Sequence, residues 1–149
     1  MSKQRIKRLK FVLSMAEEKE KKDLQTWGQY QQRLVQEQEK LSQLEQYMME
    51  YRTSLTSQQA VAIQGGQIQN TIAFIEQIKE ASGHQESQIN LVQQQAEGAK
   101  RVYLQARAKA EALRKLIEKL SQQLTAVAEK QDQKLMDEFA ARSARARNL

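Results

Sequence analysis

Between Ile89 and Val127 the apolar residues of this 149-residue chain recur at alternating spacings of three and four without a break. They are Ile89, Val92, Ala96, Ala99, Tyr103, Ala106, Ala110, Leu113, Ile117, Leu120, Leu124 and Val127. A mean repeat of 3.5 residues keeps one stripe of a helix against a partner helix while the two supercoil to the left. Only two residues per heptad are buried on such a seam, so the chain builds no compact interior in which a cavity could form. A chain of this kind works by offering surface to other proteins, and chemistry is the unfavoured reading from the start.

Composition supports a helical chain and opposes an ordinary globule. Charged residues make up 28%, aromatic residues 5%, and there are 25 Gln and no Pro. Gln, Glu, Lys, Ala, Leu and Arg all favour helix, and without Pro nothing forces a break. There is no Cys, so disulfides and thiolate metal sites are excluded and the reducing cytosol is the natural setting. The single His, His84, reads most simply as a polar residue near a bend. Catalytic signatures are missing: there is no phosphate-cradling P-loop, and Gly65-Gly66 lacks the flanking strand of a dinucleotide site. Paired carboxylates such as Glu17 and Glu18 fall on solvated faces. No enzyme activity, cofactor, metal site or small-molecule substrate is expected.

The first 18 residues, MSKQRIKRLKFVLSMAEE, have the basic start of a signal peptide. Their apolar stretch, Phe11 to Ala16, is too short for one, contains Ser14 and runs straight into acidic residues. No segment approaches the roughly 18 apolar residues of a membrane span, so a soluble cytoplasmic protein is expected. The formal charge of +6 sits at the two ends. Lys3, Arg5, Lys7, Arg8 and Lys10 supply one cluster, and Arg142, Arg145 and Arg147 the other.

The expected architecture is all-α, an elongated antiparallel two-helix coiled-coil hairpin spanning residues 1–149. The first helix is expected over about 2–55, with the stripe Ile6, Leu9, Leu13, Ala16, Leu24, Trp27, Leu34, Leu41, Leu44, Met48, Tyr51 and Leu55. Between Ala16 and Leu24 the core slots fall on Glu20 and Asp23, which reads as a stutter or a weakly packed stretch. A turn or irregular region follows over about 56–66, where a Ser/Thr cluster precedes Gly65-Gly66, a pair that lets the backbone reverse. The second helix is expected over about 67–145, with Ile68, Ile72, Ile75 and Ile78 or their neighbours on its buried stripe, kinked near 82–84 or with residues 67–81 as a separate short helix. The Ala-rich seam lets the backbones approach, with larger residues such as Trp27 filling the space opposite. A turn near residue 61 sets Tyr51 opposite residue 71, Tyr47 opposite Ile75 and Leu44 opposite Ile78. Residues beyond about 121 then project past the first helix, and the basic ends come together.

Two surfaces invite partners. Near the turn Leu44, Tyr47, Met48 and Tyr51 face Phe74, Ile75, Ile78 and Ala81, more apolar bulk than a two-helix seam can bury. These residues either cap the hairpin or dock a partner. The other surface is the basic open end. Nucleic acid is the alternative there, given a sequence pI near 9.6. Against it, SKQRIKRLK is short, lacks aromatics for stacking and interleaves Ile6 and Leu9 at seam spacing. An acidic protein surface fits better, and no nucleic-acid partner is expected.

Three segments resemble a known family. Asp132-Gln133-Lys134-Leu135-Met136-Asp137-Glu138-Phe139-Ala140, followed by Arg142, is similar to the DQKxMDEFA signature of the flagellar export protein FliJ family. Tyr47 to Arg52, with Leu55 beyond, resembles that family's YxxEYRxxL segment, and Gln69-Asn70 through Phe74-Ile75 its QNxxxFI element. The resemblance implies a non-enzymatic adaptor of the flagellar type III export apparatus, in the cytoplasm and peripheral to the inner membrane through partners only. The implied partners are the export ATPase FliI, the cytoplasmic region of the gate protein FlhA, and export chaperones. Gate and chaperone contacts carry over onto Leu44, Tyr47, Tyr51, Phe74, Ile78 and Ala81. Asp132, Gln133, Lys134, Met136, Phe139 and Arg142 are assigned to the ATPase ring. Two edge positions depart from the family pattern, Lys40 in a Gln slot and Gln85 in a His slot beside His84. The stalk protein of a virulence secretion system is a further alternative, separable by the export genes beside it.

Overall fold

In a computed structural model the protein is all-α and folds as an antiparallel pair of long helices, described here over residues 2–56 and 65–148. Helix α1 runs Ser2–Thr56 and helix α2 runs Gly65–Arg147. The reversal expected over about 56–66 falls largely on residues 57–64, outside the described residues. The glycine pair does not lie in it. Gly65 and Gly66 form the first turn of α2, and no described residue has a positive φ. Glycine is tolerated at a helix start, where the first N–H groups have no intrahelical partner in any case. Farther on, α2 passes through Ser82 and Gly83 as continuous helix.

The seam of α1 is more regular than its apolar residues suggest. Buried and half-buried positions run Ile6, Leu9, Leu13, Ala16, Glu20, Asp23, Trp27, Tyr30, Leu34, Glu37, Leu41, Leu44, Met48, Tyr51 and Leu55, alternating by three and four throughout. There is no stutter. Glu20 and Asp23 occupy the slots that heptad counting assigns them, and Leu24 lies outside with 46% of its surface exposed. A glutamate can hold such a slot because its stem packs while its carboxylate leaves the seam. Glu20 does this, reaching Arg114 at 3.5 Å. In α2 the heptads begin at Ile68 rather than Ile89 and run through Thr71, Ile75, Ile78, Ser82 and Gln85 into the apolar series. Polar residues at three of these slots hide the repeat from a search for apolar periodicity. Ile72, expected inside, is 49% exposed. At the other end Leu124 is the last half-buried seam residue, and Val127 is exposed.

The chain divides into two compact units, each an antiparallel pairing of one piece of α1 with one piece of α2. One comprises residues 1–22 and 104–149 and the other residues 23–103. Ala106 and Ala110 in the first, and Val92 and Ala96 in the second, are the closely packed points, each at most 7% exposed. Within residues 23–103, Trp27 stacks on Tyr103 with ring centroids 5.7 Å apart. Lys100 stands over the indole at 5.8 Å, a cation–π contact. The charge is divided unequally. Residues 1–22 and 104–149 carry 18 basic and 9 acidic side chains, whereas 23–103 carry 6 and 9.

Candidate functional site

The candidate docking surface lies within residues 23–103. In an antiparallel coil the residues just before each first seam position share one flank, and Tyr47, Phe74 and Ala81 hold that place. All three are exposed, Tyr47 by 52% and Phe74 by 53%. Leu44 and Tyr51 are half-buried seam residues, and Ile78 is 8% exposed. Tyr51 and Phe74 stack across the two helices at 5.6 Å with an interplanar angle of 27°. Tyr51 therefore meets Phe74 about one helical turn beyond residue 71, its expected opposite. Ile78 forms floor rather than surface. The accessible part of the patch is the Tyr47 and Phe74 rings, the edge of Tyr51 and the Ala81 methyl.

Below the aromatic pair the seam carries a polar couple. Gln85 Nε2 donates to the Glu37 carboxylate at 2.6 Å and to the Glu37 main-chain carbonyl at 2.8 Å. Lys40 Nζ lies 3.4 Å from the other carboxylate oxygen. Glu37 is 8% exposed, and the Gln85 hydrogen bond, aided by Lys40, holds its carboxyl below the usual range. A partnered polar pair on an apolar seam favours one register, because sliding would leave its groups unsatisfied. Sequence reading noted Lys40 and Gln85 only as departures from a family pattern and missed Glu37. The signal was available, since Glu37 falls on a heptad slot. Across the seam the opposite flank holds a groove of about 400 Å³ lined by Met48, Met49, Ser82 and Gly83 between Glu45, Arg52, Lys79 and Glu86.

The second group of candidate residues belongs to the other unit. Asp132, Gln133, Lys134, Met136, Phe139 and Arg142 are all exposed. Met136 and Phe139 are each 73% exposed and Leu135 63%. Continued heptad counting past Val127 gives Gln131, Lys134 and Glu138, so the seam is lost and these apolar residues move to another face. Residues 125–147 stay helical and are exposed throughout, apart from a half-buried Ser143. Glu138 and Arg142, four apart with the acid first, suit an exposed helix. His84 is exposed, 4.0 Å from Glu80. The described residues hold no group of three or more His, Cys, Asp or Glu suited to a metal, and no helix long and apolar enough to cross a membrane.

The family model described as flagellar FliJ protein matches residues 5–149, nearly the whole chain. The chain belongs to the FliJ family. No curated protein and no solved structure matches it. Membership makes it a component of the flagellar type III protein export apparatus, in a family whose part in export is non-catalytic.

Proposed function

We propose that this FliJ-family chain is a non-enzymatic adaptor and stalk that links the export ATPase ring to the export gate and handles unloaded export chaperones. The observation that carries the reading is that each unit leaves apolar surface uncovered just where the family motifs fall. Tyr47, Tyr51, Phe74 and Ala81, with Leu44 and Ile78 beneath them, form the surface for the cytoplasmic region of FlhA and for chaperones. The exposed helical segment bearing Asp132, Gln133, Lys134, Met136, Phe139 and Arg142 engages FliI. Exposed aromatic side chains beside a rigid seam are what a docking anchor requires, since little conformational entropy is lost when they are covered. The protein then acts in the cytoplasm and reaches the inner membrane apparatus through these partners.

Co-purification with each partner tests the assignment. Phe74→Ala should weaken the FlhA complex and spare that with FliI, and deletion from Asp132 onward should do the reverse. Loss of both complexes in either variant, at unchanged helicity, would refute the division of labour.

A further inference from the structure

We infer that the outward face of the first 22 residues, centred on Phe11 and Met15, docks on an anionic lipid surface. A helix in a two-stranded coil needs apolar residues only on its seam, and Ile6, Leu9, Leu13 and Ala16 supply that here. Phe11 and Met15 are four residues apart on the far side, 68% and 57% exposed. Both are exceptions in their own columns. Every seventh residue from Gln4 to Thr53 is Gln, Glu or Thr except Phe11, and every seventh from Arg8 to Glu50 is polar or charged except Met15. Folding of the pair explains neither.

Charge selects the occupant. Lys7 and Arg8 stand one turn before Phe11, no carboxylate occurs before Glu17, and Glu18, two turns beyond Phe11, is the one carboxylate on this face. A convex helix face bearing two flexible apolar side chains among long cationic ones matches an interfacial helix. The rings and thioethers enter between headgroups while the cationic tips reach up to phosphates. A nucleic-acid backbone would satisfy the cations but would leave Phe11 and Met15 in water, since a side chain on a continuous helix face has no unstacked base to meet. This surface is distinct from the FliI and FlhA surfaces proposed above.

Vesicle sedimentation of the full chain decides the matter, with phosphatidylcholine alone or with phosphatidylglycerol as a third of the lipid. Binding to the anionic vesicles alone, fading as salt is raised, is the expected result. Lys7→Gln and Arg8→Gln should each lower partitioning about fivefold. Phe11→Ala with Met15→Ala should lower it about tenfold or more, with the melting temperature nearly unchanged because neither residue is in the seam. Absence of binding to anionic vesicles overturns the inference, and so does binding insensitive to the Phe11 and Met15 changes. Retention on DNA without vesicle binding would assign the basic face to nucleic acid instead.

Discussion

Replacing Phe74 by Ala separates a docking anchor from a hairpin cap, because the two roles predict different ratios of lost binding to lost stability. Phe74 is 53% exposed, so the fold recovers only about half of a phenylalanine's burial, about 1 kcal/mol. Its stack on Tyr51 adds about 1 kcal/mol more. The substitution should therefore cost about 2 kcal/mol of stability, which for a chain of 149 residues lowers the melting temperature by about 4–8 °C. Well below that transition the variant remains helical. An aromatic anchor at an interface centre costs about 2 kcal/mol or more when truncated, roughly thirtyfold in affinity. Circular dichroism melts, titration with the FlhA cytoplasmic region and swarming motility measure the three quantities. Docking predicts gate affinity down about thirtyfold and motility lost at a temperature where the fold is intact. Normal motility, or affinity that falls only as the variant unfolds, would refute the anchor and leave Phe74 as packing for the aromatic pair.

Three further outcomes follow from the same geometry. Val92→Ala should lose about 2 kcal/mol, since Val92 is fully buried, whereas Leu24→Ala should stay within about 0.5 kcal/mol; equal losses in thermal melts would restore Leu24 to the seam. The depressed Glu37 carboxyl contributes stability that is present above the ordinary carboxylate range and lost as pH falls through its folded-state pKa. The gap between wild-type and Glu37→Leu melting temperatures should therefore change in the wild type's disfavour on acidification, and a gap constant down to pH 3 would contradict the pairing with Gln85. Deleting residues from Asp132 onward should weaken FliI binding and leave the melting temperature nearly unchanged, because those residues are exposed apart from the half-buried Ser143; a large drop in melting temperature would mean that the segment is part of the fold.

Heptad spacing determined most of the fold without help from tertiary structure. The clean run from Ile89 to Leu124 states helix, seam face and coil at once, because a 3.5-residue repeat has one geometric solution when a partner helix is present. The motifs around Tyr47, Phe74 and Asp132 were equally legible, and they named the family that the full-length match supports. Legibility ended where polarity and position disagreed. Glu20, Asp23, Glu37, Ser82 and Gln85 sit in seam slots, yet a search for apolar residues passes over them and promotes Leu24 and Ile72 in their place. What makes a polar residue acceptable there is a partner on the other helix, as Arg114 is for Glu20 and Gln85 for Glu37. Sequence distance hides such partners, for these pairs are 94 and 48 residues apart. Only the folded pair decided the register, the exposure of Phe74 against the burial of Ile78, and the place where α2 loses its partner. Each is a property of two helices at once, and an isolated helix carries no information about how far its neighbour has slid.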